Sequence, residues 1–222
     1  MFRKYIDLNT IYKEELVSDT YKINTTRLTF SQVRMEQAMN WRNSWTTSGL
    51  KADFDYVRLI KLVGGYSDSG VMMSDTPMER NSNSGFLQKA NGDVLIFGLG
   101  LGLIVFPLIN DDLIKSITVV ELYQDLIDIV QPKIKEFDKS NKVKIVQGDC
   151  FTYELPKGQK FDSIYFDVWL NICSDYYKEH KQLKRRYLKN LNKENPNSFI
   201  DAWLNDYYKR EIKREKRYSY GY

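Results

Sequence analysis

One stretch constrains the fold more than any other: short apolar runs alternate with helix-like segments, and the first run empties into a glycine turn. Residues 93–97 (DVLIF) read as a strand, and Gly98-Leu99-Gly100-Leu101-Gly102 follows at once. Residues 103–110 then read as a short helix, 116–121 (SITVVE) as a second strand, and 122–137 as a helix bent at Pro132. A third strand falls at 142–147 (KVKIVQ) and a fourth at 161–167 (FDSIYFD). Strand–helix–strand alternation of this kind predicts an α/β, Rossmann-like, doubly wound parallel sheet with right-handed crossovers. The apolar run 94–109 (VLIFGLGLGLIVFPLI) is 16 residues long and holds three glycines and a proline. A spanning helix needs about 20 apolar residues, so the run reads as a buried strand, a turn and a buried helix start, and no membrane association is expected.

Three zones follow. Residues 1–90 predict an N-terminal extension packed on the core as a lid or platform. In it, 31–42 (SQVRMEQAMNWR) forms a helix, with Ser31 as N-cap and Met35, Ala38 and Met39 on one face. Residues 56–63 (YVRLIKLV) and 71–73 predict the two arms of a hairpin around a loop at 64–70, and Pro77 opens a short helix. Residues 91–170 form the core. Residues 171–222 form a basic, helical tail: from Tyr176 onward there are 13 Lys or Arg against 6 Asp or Glu, a net of +7 in a chain of net +4. The stretch 190–198 (NLNKENPNS) is the most linker-like.

With 42% hydrophobic residues the chain can bury a core, and 28% charged residues are typical of a soluble domain. Cys150 and Cys173 form no CxxC pair, and His180 is the single histidine, so no metal site is expected. The cysteines read as small buried residues of a reducing cytosol. Met1-Phe2-Arg3-Lys4 leads into a polar stretch without the apolar run of a signal peptide, which also points to the cytoplasm.

In an open α/β sheet, ligands sit outside the carboxyl ends of the strands. A dinucleotide fingerprint G-x-G-x-x-G would place glycine at 103, where Leu103 stands; the spacing here is G-x-G-x-G, which suits an adenosyl amino acid better than a pyrophosphate. Glu121 ends the second strand, 23 residues after Gly98, where a carboxylate can accept from both ribose hydroxyls; it could equally serve as an acid at a helix N-terminus. Asp149 follows the third strand, where it can reach an adenine amino group or simply cap a helix. Asp167 ends the fourth strand, near where a transferred group would lie. Singly each has an ordinary structural explanation; four such features at successive strand ends point to one cofactor class.

These residues carry a resemblance. DVLIFGLGLG, ITVVE, VQGDC and FDSIYFD resemble the successive motifs of class I S-adenosylmethionine-dependent methyltransferases, and most of all their spermidine-synthase-like branch. VMMSDTPME (71–79) and YFDVWLNI (165–172) resemble a phage-encoded subgroup of that branch, and the likeness runs from about Tyr56 to Trp203. It implies that Gly98, Gly100 and Gly102 line the methionine part of S-adenosylmethionine or its decarboxylated form. It further implies that Glu121 holds the ribose, that Leu122 also contacts the cofactor, that Asp149 and Cys150 flank the adenine, and that Asp75 closes the site from the hairpin. Asp167 would remove the acceptor's proton or hold its amine, and Trp169 would wall the pocket with its ring face toward a cationic centre, unless it simply packs in the core.

The chain departs from the pattern twice. No fifth strand is evident after 184–198, so the sheet could be truncated after the fourth, with tail helices over its edge. The run Asp167-Val168-Trp169-Leu170-Asn171 matches neither the D-[SA]-S-D run of aminopropyltransferases nor the [DN]-P-P-[YF] loop of amino-group methyltransferases. The leading expectation is a methyltransferase of unassigned acceptor. An aminopropyltransferase is the alternative, and a non-catalytic cofactor-binding protein the third. In the tail, Lys184-Arg185-Arg186 and 209–217 (KREIKREKR), interleaved with Tyr187, Tyr207, Tyr208 and Tyr218, could bind nucleic acid, or could form a solvated helix face with pairs such as Glu211–Arg214. Homo-oligomer formation stays open.

Overall fold

In the computed structural model, residues 2–39, 49–50, 53–63 and 67–219 are described, with side chains omitted at 63–69 and 216–219. The core is a five-stranded, fully parallel sheet. Its strands are β5 (Gly92–Phe97), β6 (Ile114–Glu121), β7 (Val143–Gln147), β8 (Ser163–Phe166) and β9 (Phe199–Ala202), in the spatial order β7-β6-β5-β8-β9. β5 lies in the middle, and Val94, Leu95, Ile96 and Phe97 have no solvent exposure. A strand covered on both faces reads as an unbroken apolar run rather than an alternation, which is the DVLIF pattern. Edge strand β7 is only partly buried, with Lys144 and Gln147 outward.

β9 corrects the truncation expected from sequence. FIDA pairs along all four residues of β8, with Phe199 opposite Ser163 and Ala202 opposite Phe166. No glycine turn announces it, because the asparagines of the linker-like stretch do that work. Asp162 Oδ1 accepts from Asn192 Nδ2 (2.8 Å) and Asn195 Nδ2 (2.9 Å), while its Oδ2 accepts from the Asp93 backbone N–H (2.8 Å). The stretch is therefore a pinned loop that sets β9 against β8.

Helices α2 (Pro77–Lys89), α3 (Phe106–Ile109), α4 (Gln124–Phe137), α5 (Tyr176–Tyr187) and α6 (Asn205–Ser219) flank or follow the sheet. α4 buries Leu126, Ile127, Val130 and Ile134 on one face and keeps Pro132 inside the helix. α3 is half the expected length: Pro107 fits only a first turn, so the helix cannot begin at Leu103. α2 runs 13 residues from Pro77, longer than expected, since Phe86 stacks on Tyr165 with ring centroids 4.1 Å apart.

The N-terminal part forms a four-stranded antiparallel sheet, β1 (Leu16–Val17), β2 (Tyr21–Leu28), β3 (Phe54–Val63) and β4 (Ser67–Ser74), with α1 (Phe30–Met39) between β2 and β3. Only the β3–β4 pair was evident from sequence. β4 begins at Ser67, inside the expected loop; of that loop, 64–66 lies outside the described residues, as do 40–42 of the expected helix. β2 was missed because its alternation stops after the buried Tyr21 and Ile23, where Asn24, Thr25 and Thr26 follow. Tyr12 Oη donates to the Leu101 carbonyl (2.8 Å), which ties this part to the glycine turn. No described helix is long and apolar enough to cross a membrane.

Candidate active site

The carboxyl ends of β5, β6, β7 and β8 open onto a cavity of about 320 Å³, closed on the other side by Leu59 of β3 and by Met72 and Met73 of β4. The glycine turn forms its floor. Gly98 has φ +94°, and a Cβ there would fall on the Asp167 backbone carbonyl, so β5 and β8 leave the sheet in backbone contact. Gly100 lies under Met73 Sδ, which accepts from the Leu101 N–H at 3.4 Å.

Glu121 is 5% exposed, and its carboxylate accepts from the backbone N–H groups of Leu99 (Oε2, 2.8 Å) and Tyr123 (Oε1, 3.0 Å). It thereby staples the glycine turn to the end of β6 while facing the cavity. Burial pushes its pKa up, and these backbone bonds pull against that. Asp149 Oδ1 accepts from the Phe151 N–H (2.8 Å), an Asx turn that shapes the wall after β7. Cys150 sits beside it on the cavity wall; burial, then the Asp149 charge, pushes its thiol up to about 12. Leu122 stands half-exposed at the mouth.

Two expected residues are not among those lining the cavity. Asp75 is fully buried, with its oxygens spent on the Val57 N–H (2.8 Å) and the Arg80 guanidinium (2.9 Å). It locks the hairpin to α2 instead of closing the site. Gly102 faces away, and a Cβ there would meet the Phe106 ring at 2.8 Å, so its smallness serves the packing of α3. Gly98, Gly100, Glu121, Leu122, Asp149, Cys150, Asp167 and Trp169 are all brought together around the cavity.

Sequence reasoning missed two acids that also line it, Glu79 of α2 and Glu179 of α5. Glu79 looked like a first-turn helix acid, and Glu179 like one acid in a basic segment. Burial pushes Asp167 up to about 7, against a hydrogen bond from Asn83; burial and the Asp167 charge push Glu79 up to about 8. Trp169 is 8% exposed, and its Nε1 donates to Glu179 Oε2 at 2.7 Å, so the indole both walls the cavity and aims this carboxylate. Trp169→Phe keeps the wall and removes that donor. It is expected to raise the acceptor KM about 10-fold with kcat little changed, as steady-state kinetics would show.

The described lining residues thus include five acids and no Lys, Arg or His. Among the described residues no His, Cys or acid side chains gather as a metal-binding group, so the five are spread along the cavity rather than focused on a point. The two raised carboxyls make the fold bind more protons than the unfolded chain, whose values lie near 4.5 for Glu and 3.8 for Asp. Their contribution is therefore least costly below about pH 4 and grows more costly as pH rises toward 8. Glu79→Gln is expected to stabilise the protein at high pH, by on the order of 3 kcal/mol, with the gain vanishing in acid. Thermal melts at several pH values would check this.

In the tail, Lys184 pairs with Asp201 (2.9 Å), Lys209 with Asp206 (3.0 Å) and Arg214 with Glu211 (2.9 Å). Tyr187 and Tyr208 are buried at 2% and 1% exposure, so these two rings are packed in the fold and cannot stack on bases. Tyr187 Oη donates to the Cys150 carbonyl (2.8 Å), making α5 part of the wall behind Cys150.

A five-stranded parallel sheet with a glycine turn after the central strand and acids after the next three strand ends is a Rossmann-like α/β core. The chain belongs to the spermine/spermidine synthase domain family, whose model matches residues 78–194, just over half of the sequence. No curated protein matches. Similar solved structures include the CcbJ methyltransferase from Streptomyces caelestis: 19% identity, 55% of this chain and 45% of that one, TM-score 0.41. Another is the glycopeptide N-methyltransferase MtfA complexed with sinefungin: 18% identity, 51% and 48% covered, TM-score 0.39. A third is the [4+2]-cyclase SpnF: 21% identity, 40% and 33% covered, TM-score 0.34. The chain spans less than half the length of each of these.

Proposed function

We propose that this cavity binds decarboxylated S-adenosylmethionine and that the chain transfers its aminopropyl group to an amine. The observation that carries the reading is the charge of the wall: five carboxyl groups and no cation among the described lining residues. The residues fit the donor. Glu121 offers lone pairs to the ribose, Asp149–Phe151 lies at the adenine end, and the Cβ-free floor at Gly98 and Gly100 lets a sulfur approach the backbone. Without its carboxylate the donor carries two positive charges, on sulfonium and ammonium. The carboxylate of intact S-adenosylmethionine would face this wall at roughly 3 kcal/mol per ionised acid at about 6 Å in a medium of effective dielectric 20.

A sulfonium supplies an already activated carbon, so the protein's task is alignment and proton removal. Asp167 takes a proton from the acceptor ammonium. The freed amine nitrogen bonds the carbon next to sulfur, the carbon–sulfur bond breaks, and sulfur leaves with the electron pair as a neutral thioether. Glu179, aimed by Trp169, holds a second cationic centre of the acceptor.

Methyl transfer is the second reading, favoured by the Asp167-Val168-Trp169 run, which lacks the aminopropyltransferase pattern. The products separate the two. Incubation with each donor and a panel of aliphatic di- and triamines, followed by mass spectrometry, should yield 5′-methylthioadenosine from the decarboxylated donor. S-adenosylhomocysteine as the only nucleoside product would overturn the aminopropyl reading in favour of methyl transfer.

A further inference from the structure

Glu79 and Asp167 line the same cavity, one from the first turn of α2 and the other from just after β8. The groups around them have already committed their hydrogens. Tyr5 Oη donates to the Arg80 carbonyl (2.7 Å), and Tyr165 Oη donates to Asn83 Oδ1 (2.8 Å). Arg80, the nearest cation on α2, is paired with Asp75 (2.9 Å), and Lys184 of α5 is paired with Asp201 of β9 (2.9 Å). The other acids lining the cavity, Glu121, Asp149 and Glu179, have the same sign. Two carboxyl groups that share a cavity wall with no cation among its described residues cannot both ionise cheaply.

Asn83 favours the charge on Asp167. It lies one helical turn after Glu79 and is fully buried. Because Tyr165 occupies its oxygen, its amide nitrogen is left to donate: it bonds the Glu79 backbone carbonyl (3.2 Å) and favours the charged form of Asp167 nearby. No described hydrogen bond supports an ionised Glu79 side chain.

We propose that Glu79 is a second acid–base residue of this site, forming with Asp167 a carboxyl pair that holds one proton, with the proton on Glu79 and the charge on Asp167. Its part in turnover rests on the amine-transfer reading. When a cationic acceptor enters, Glu79 releases its proton to solvent and pairs with the acceptor as a carboxylate, while Asp167 stays free to take the acceptor's own proton. Burial, with the Asp167 charge for Glu79, sets the pair to titrate around neutrality, near 7 and 8.

Infrared difference spectroscopy of the ligand-free full chain across a pH titration tests the pair without any assumption about substrate. The expected result is a protonated-carboxyl carbonyl band at neutral pH that disappears as the solution is made alkaline, and that is missing in Glu79→Gln. Glu79→Asp, which keeps the acid, should retain it. A wild-type protein without the band, or a band that survives in Glu79→Gln, overturns the proposal. Calorimetry with 1,4-diaminobutane in buffers of different ionisation enthalpy then reads the release: about one proton per diamine for wild type and about none for Glu79→Gln. Equal release in both overturns the role of Glu79. If the diamine does not bind wild type, the amine-transfer reading fails while the infrared result still decides the pair.

Discussion

Asp167→Asn is expected to lower the rate of group transfer by about 10²- to 10⁴-fold while the donor still binds within a few-fold of wild type. Asparagine keeps the size and one acceptor oxygen of the side chain, but it cannot take the acceptor's proton. Since Asp167 ends β8 beside Gly98 and its backbone N–H bonds the Phe97 carbonyl (2.8 Å), its position is held by main chain and the substitution should leave the fold intact. Burial holds the carboxyl near 7, so the wild-type rate should rise with pH through that region. Single-turnover kinetics across pH, with donor binding measured separately, would check both statements. An unchanged rate would remove Asp167 from the chemistry.

The second large effect is structural. Gly98→Ala is expected to destabilise the protein by at least about 3 kcal/mol and to abolish donor binding. The new methyl would fall on the Asp167 carbonyl, and its backbone would be held at φ +94°, a region that L side chains rarely adopt. Neither clash can be relieved by turning a side chain, because both partners are main chain. Gly158→Ala is the control. Gly158 has a similar φ of +83° but open space around it, so only the backbone penalty of about 1–2 kcal/mol should appear. Comparing the two melting curves isolates the cost of forcing β5 and β8 apart at the floor of the cavity.

The parallel core was legible because buried strands write themselves as unbroken apolar runs; DVLIF and SIYF are such runs. Three of the site's acids were legible for a related reason, since each stands where a strand stops. Glu79 and Glu179 were not, because a helix acid has the same appearance in sequence whether it faces solvent or a cavity. β9 was hidden because its signal is distributed: Asn192 and Asn195 fold back onto Asp162, and nothing in FIDA itself demands a strand. Asp75 misled for the opposite reason. An acid just before Pro77, in a stretch that resembles cofactor-site motifs, looks functional, yet its partners Val57 and Arg80 make it a fastener.

In the proposed function, a row of acids above a bare backbone floor selects a donor of double positive charge. Titration calorimetry of the wild-type chain with decarboxylated and intact S-adenosylmethionine measures it directly. The acid wall predicts tighter binding of the decarboxylated form by about 10-fold or more, narrowing as salt is added. Tighter binding of the intact, carboxylate-bearing form, or no binding of either by the folded protein, would contradict it.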